Sequence, residues 1–140
     1  MPMNVTPSVS RRIEEALTKA DNWLANDLEG LGAEMADLFR ETGDTQALTN
    51  FFNIRVREFF EDDRSPATVA LAFMTRWNPT KQELASLARK DRPAVEALER
   101  ALKGPNLEPY KVAQYEQLTA AVRGALDYAG PFADSFSPGR

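Results

Sequence analysis

Apolar residues recur in steps of three and four along most of this chain, the spacing that places them on one face of an α-helix. The first such stripe is Ile13, Leu17, Ala20, Leu24, Leu28, Leu31, Met35 and Leu38. Ser8 or Ser10 is placed to cap its start, with Glu14 and Glu15 early in the helix, where carboxylates favour the dipole. Leu17, Leu24, Leu31 and Leu38 fall at intervals of seven, the spacing of a leucine zipper. Glu14 and Asp21, however, stand where a coiled coil wants its second apolar seam. Gly30 and Gly32 each cost a helix of order 1 kcal/mol. The pattern predicts an amphipathic helix packed inside the domain and bent or broken near 29–32, with coiled-coil dimerisation as the alternative.

The stretch 44–77 is the most apolar, holding five of the eight phenylalanines and one of the two tryptophans. Gly43 is placed as a helix C-cap, and Asp44 or Thr45 caps the next helix. On that helix Leu48, Phe52, Val56, Phe59 and Phe60 share a broad face, which Ala47, Phe51 and Ile54 extend. Asn50, Asn53, Arg57 and Glu61 form its one polar row, and Arg55 and Glu58 are spaced to pair on the flank. Ser65 and Pro66 read as a cap followed by proline in the first turn. The segment 67–77 behind them, with an unbroken apolar run at 69–74, is a helix with almost no polar face. Such a helix is either the centre of the domain or part of an interface.

Asn78, Pro79 and Thr80 open a short helix with Leu84, Ala85, Leu87 and Ala88 inward. Arg92 and Pro93 open another, carrying Val95, Leu98, Ala101 and Leu102 and closed by Gly104 and Pro105. Pro109 starts a long final helix with Val112, Tyr115, Leu118, Val122, Leu126 and Ala129 along one stripe, ended by Gly130 and Pro131. The expectation is an all-α fold: a single-domain irregular bundle of five to seven helices over 8–129. Residues 1–7 are read as a flexible N-terminus, and 130–140 as a flexible tail or one docked through Phe132 and Phe136.

Composition narrows the chemistry. At 140 residues the chain is one domain by length. It has no cysteine, hence no disulfide or thiolate chemistry, and no histidine, hence neither the commonest general base nor the usual zinc ligands. No signal-peptide or membrane-length apolar run is present, so a soluble, cytoplasmic protein with no membrane partner is expected. The formal charge of −4 opposes general attraction to nucleic acid. Charge is uneven, because residues 76–111 hold eight Lys/Arg against five Asp/Glu.

Three functions follow from these residues. The first is a non-enzymatic protein-binding module, acting as inhibitor, adaptor or assembly factor, or as a homodimer. Its anchors are Phe51, Phe59, Phe60, Phe73, Met74 and Trp77, with Arg55 and Arg57 orienting the partner. The second is a DNA-binding regulator in which 80–103 form a helix-turn-helix, and Arg89, Lys90, Arg92, Arg100 and Lys103 hold phosphates. Against it, the turn lacks the glycine-plus-apolar pattern, and Glu96 and Glu99 face solvent on the second helix. The third, a viral or filament structural subunit, is neither favoured nor opposed by any residue. Enzyme activity is not expected. The carboxylate pairs Glu34 with Asp37 and Glu58 with Glu61 or Asp62 lack histidine partners. Asp62 and Asp63 offer a hard cation only an acidic turn. Tyr110, Tyr115 and Tyr128 have no base near them in sequence. No catalytic residue, metal or cofactor is assigned.

Overall fold

Short polar side chains cap three helix starts in the computed structural model, which describes residues 7–20, 27–60, 65–104 and 109–129. The first helix, α1, is Pro7–Ala20. Asp27 caps α2 (Leu28–Thr42), its Oδ1 accepting a hydrogen bond from Gly30 N at 2.9 Å. Gly43, at φ +65°, ends that helix and donates its N–H to Phe39 O at 2.7 Å. A positive φ there suits glycine, which has no Cβ to clash. Asp44 caps α3 (Thr45–Asn50) by accepting from Ala47 N at 3.0 Å. A π-helical turn, Phe51–Arg55, and α4 (Val56–Phe60) continue α3 as one rod. Then come α5 (Ser65–Trp77), α6 (Lys81–Lys90), α7 (Arg92–Lys103), a 3-10 turn at Pro109–Lys111, and α8 (Val112–Ala129). Among the described residues this makes seven helical rods and no strand, the all-α bundle that the periodicity predicts.

The most intimate packing joins α2 to α5. A Cβ on Gly32 would run into the carbonyl oxygen of Val69, would lie 2.7 Å from Ala72 Cβ, and 2.9 Å from Phe73 N. Two of these obstacles are backbone, so the helices touch almost main chain to main chain. Arg76 and Asp37 clasp the crossing from outside, Nε to Oδ1 at 3.0 Å and Nη2 to Oδ2 at 3.2 Å. Hydrogen bonding from Arg76 holds the Asp37 carboxyl below the usual carboxylate range. Around this pair, α5 also packs on α4, α7 and α8. Ala67, Thr68, Val69, Ala70, Leu71, Phe73 and Met74 are buried along it, and the Thr68 hydroxyl has no hydrogen-bond partner there. Of the two roles open to a helix without a polar face, α5 fills that of domain centre.

A second enclosed helix is α7, packed by α3 with its π turn, α5, α6 and α8; seven of its 12 residues are buried. Glu99 is one of them, its carboxylate 3.2 Å from Arg123 of α8, so the expectation that it faces solvent is wrong. The π turn solves a local packing problem. Consecutive α-helical residues point about 100° apart. The wider π turn, closed by Val56 N–H on Phe51 O, brings both Phe51 and Phe52 inward, their rings edge to face at 5.0 Å. The same widening turns Ile54 outward to 45% exposure, against its expected place on the apolar arc. Arg55 on this turn reaches α1, donating from Nε to Glu14 at 2.9 Å, and donates from Nη1 to Glu58 at 3.1 Å.

Four further expectations change. The stripe from Ile13 to Leu38 does not bend at 29–32; α2 begins at Leu28, after its cap Asp27, and runs unbroken through those residues. Leu17 lies on α1 while Leu31 and Leu38 lie on α2, all buried in the common core, so these three do not share one zipper helix. Ser8 and Ser10 are inside the first turns of α1 rather than ahead of it. In α8, Val112 is exposed, whereas Tyr115, Val122 and Leu126 are buried as expected. The expectations for 1–6, Leu24, Glu61, Asp62, Asp63 and 130–140 lie outside the described residues, as do the side chains of Phe59 and Phe60.

Two measurements check this account. Gly32→Ala is expected to lower stability by about 2–3 kcal/mol, because backbone has to move. Gly124→Ala, where a Cβ meets open space, is expected to raise it by about 0.5–1 kcal/mol. Urea midpoints on the two variants read both signs. The second measurement concerns pH. Asp37 titrates lower folded than unfolded, so the unfolded chain binds more protons between those two values. Stability is therefore present above the ordinary carboxylate value and lost as pH falls from there through the lowered folded value. Glu41, lowered by its hydrogen bond from Arg12, acts in the same direction. Asp37→Asn is expected to flatten the acid limb of a plot of urea midpoint against pH.

Candidate functional site: an aromatic groove between α2, α5 and α6

The chain turns sharply after Trp77, and this turn builds the groove. Asn78 sits at φ +48°, the left-handed conformation that asparagine tolerates better than most residues, and donates its N–H to Met74 O at 2.8 Å. Pro79 follows. Thr80 and Glu83 then form a reciprocal capping box: Glu83 N donates to Thr80 Oγ1 at 3.0 Å, and Thr80 N donates to Glu83 Oε1 at 2.8 Å. This cap starts α6 at an angle that sets Leu87 beside two rings from other helices, Phe39 of α2 and Trp77 of α5.

Those rings are anchored on the core. Trp77 meets Phe39 edge to face at 5.4 Å and 87°, and Phe73 at 5.7 Å; Phe39 lies 6.1 Å from Phe73. Edge-to-face pairs at this range are worth about 0.5–1.5 kcal/mol beyond their buried area. Phe39 and Trp77 are nonetheless only half-buried, and with Leu87 they floor an open groove of about 380 Å³. Thr80, Gln82, Ser86 and Lys90 line its walls. Glu83 is taken up by the cap. Lys90 makes no ion pair or hydrogen bond among the described residues. The groove therefore offers an apolar, aromatic floor with one uncommitted cation at its rim.

Thr80 and Ser86 supply hydroxyls without a histidine to activate them. Among the described residues no group of three or more Asp or Glu side chains gathers to hold a metal ion. The expected carboxylate pairs are partnered to cations: Glu34 with Lys19 at 3.5 Å, Asp37 with Arg76, and Glu58 with Arg55. Tyr115 is buried, while Tyr110 and Tyr128 are exposed.

Of the expected partner anchors whose side chains are described, Trp77 alone lines the groove. Phe51 and Phe73 are 0% exposed and Met74 2%, so the face they were expected to present is covered by this chain's own helices. That corrects the expectation that they form an apolar surface: two wide apolar arcs face each other and their neighbours. Arg55 is committed to Glu14 and Glu58. Arg57 is exposed on α4.

The residues expected to hold DNA are not arranged to do so. A reading helix must protrude far enough to enter the major groove, but α7 is enclosed by four neighbours. Its outer residues include Glu96, to which Arg92 is tied at 3.1 Å, and Arg92 also donates to Leu126 O at 3.2 Å. Arg100 donates to Asn53 Oδ1 at 2.9 Å. Lys103, Arg89 and Lys90 are exposed, the last at the aromatic groove. A single residue, Asp91, separates α6 from α7, which makes this pair a tight helical hairpin.

Phe39, Gln82, Ser86 and Leu87 were not expected at a site. The one sequence signal for them is the turn Asn78-Pro79-Thr80 directly after an aromatic residue, which forces the next helix back across that ring. Compared with family models, with curated proteins and with solved structures, the chain shows no match.

The groove wall depends on the cap of α6. Thr80→Ala is expected to cost about 1 kcal/mol and Thr80→Ser far less, since serine retains the accepting oxygen. Chemical denaturation of the two variants side by side checks this.

Proposed function

We propose that this chain is a non-enzymatic protein-binding module that docks a short segment of another protein in the Phe39–Trp77–Leu87 groove. One observation carries the reading: half-buried aromatic rings packed edge to face on the core, open to solvent, beside a lysine that has no partner among the described residues. A rigid, partly desolvated aromatic pocket is the kind of place where interface energy concentrates. The chemistry selects a partner segment with an aromatic or branched aliphatic side chain for the floor and a carboxylate within a few residues for Lys90. Gln82, Ser86 and Thr80 add polar contacts at the rim. Inhibitor, adaptor and assembly factor are all roles that such docking serves. The absence of cysteine suits a reducing compartment, so the cytoplasm is the proposed setting.

Panning a displayed peptide library against the purified chain tests the proposal. The expected winners pair an aromatic or aliphatic residue with Asp or Glu nearby. Their affinity is expected to fall roughly tenfold or more, over 1.4 kcal/mol, with Ser86→Arg, which fills the groove from an exposed helix position, and with Lys90→Glu. Enrichment of no sequence, or of sequences that bind both variants undiminished, overturns it. Light scattering over a dilution series separates a foreign partner from a second copy of the chain.

A further inference from the structure

The face of α8 that points away from the bundle carries features its own chain does not use. Tyr115, Val122 and Leu126 are buried on this helix, which leaves Ala113, Gln117, Ala120 and Gly124 outward. We propose that this outward face is an isologous interface that takes a second copy of the chain, the two α8 helices lying antiparallel about a dyad next to Ala120. The interface is separate from the Phe39–Trp77–Leu87 groove, none of whose lining residues lies on α8.

The first observation is where apolar side chains stay exposed. Four large hydrophobic side chains are exposed among the described residues. Three of them, Tyr110, Val112 and Tyr128, lie on α8 or in the turn that leads into it. Scattered exposed apolar residues need no explanation, but three along one rod do. Tyrosine, with an apolar ring and a polar tip, is enriched where proteins meet.

The second is Gly124. A glycine in the middle of a helix weakens it. At Gly32 the close approach of α5 supplies the reason, whereas at Gly124 nothing stands within 4 Å of where a Cβ would go. The monomer gives no use for a glycine at that position; a second helix packed against it does.

The third is that the face complements itself. Across a dyad, residue i of one copy meets j of the other and j meets i, so every such pair along α8 has to share one midpoint. Tyr110 and Tyr128 are centred on Thr119, and Glu116 and Arg123 between Thr119 and Ala120. One dyad therefore brings a tyrosine from each copy together at both ends and sets each Glu116 against Arg123 of the second copy. At 100° per residue Glu116 and Arg123 share one flank of the face and Tyr128 lies on the other, so the two kinds of contact run side by side. Glu116 has no hydrogen bond or ion pair among the described residues. Arg123 bonds Asp127 at 3.1 Å and Glu99 at 3.2 Å, and a guanidinium has five N–H donors, more than these bonds use. A parallel pairing would set Glu116 against Glu116 and Arg123 against Arg123, which selects the antiparallel one.

Sedimentation equilibrium of the full chain over a dilution series reads the interface. A monomer–dimer equilibrium is expected, weakened at least about tenfold by Gly124→Leu. Because that side chain enters open space in the monomer, the variant is expected to keep its helical circular dichroism. Glu116→Arg, which sets arginine against arginine at both ends of the charged flank, is expected to weaken the dimer as well. The chain has no cysteine, so Ala120→Cys beside the dyad is expected to link two copies by a disulfide in air, while Thr18→Cys, exposed on α1, is not. A chain that sediments as monomer at every concentration up to roughly 1 mM overturns the inference, and so does a dimer indifferent to Gly124→Leu. A dimer lost with Ser86→Arg instead puts the second copy in the groove and overturns it too. Peptides captured in a Ser86→Arg-sensitive way leave the docking reading standing in each case.

Discussion

The contact between α2 and α5 at Gly32 constrains the rest of the molecule. Because a main-chain oxygen and a main-chain nitrogen of α5 stand where a Cβ would go, the two axes cross closer than side chains ordinarily permit. That closeness lets α5 disappear into the centre. With α2 flush against one side, α7 and α8 cover others, and Phe73 and Met74 are left without exposure. It also fixes where Phe39 and Trp77 stand, one on each helix of the crossing pair, so their edge-to-face contact follows from the same constraint. The groove is the open margin of the tightest packing in the fold.

Charge plays a positioning role around this core. Arg76 with Asp37, Arg55 with Glu14, Arg12 with Glu41 and Arg123 with Glu99 each join two different helices. Exposed pairs of this kind contribute little stability individually. Their effect is to fix rotation and sliding of helices whose apolar faces alone would tolerate several settings. They take up four of the ten arginines among the described residues. At the groove, Arg92 and Glu83 are already used, and Lys90 is left without a partner among the described residues.

Much of the architecture was legible in the residues, and what was not has physical reasons. Asp44, Gly43, Thr80 and Pro93 act locally, through hydrogen bonds and dihedral limits within a few residues, and they marked helix ends correctly. Gly32 misled because a glycine inside a helix signals either weakness or close approach, and only the partner helix decides. The π turn was invisible, since Phe51 and Phe52 are compatible with an α-helix that exposes one of them. The apolar arcs on 44–77 were counted correctly but assigned to an outside partner; their coverage depends on α2 and α7, distant in sequence. The groove was the least legible of all. It draws Phe39, Trp77 and Leu87 from three helices, and no pattern within one helix describes it. The interaction reading accordingly keeps Trp77 and moves away from Phe51, Phe73 and Met74.

The π turn at Phe51–Arg55 bears on how this helix tolerates changes of length. It holds one more residue than an α-helix of the same rise requires, in effect an insertion kept inside the helix. Deleting a residue there would leave the hydrogen-bond ladder intact, closing it into regular α geometry. Everything beyond the deletion would keep close to its present rotation, because the extra residue is the one that the wider turn already absorbs. A one-residue change of length is thus taken up inside the turn, and α4 keeps its face toward α5.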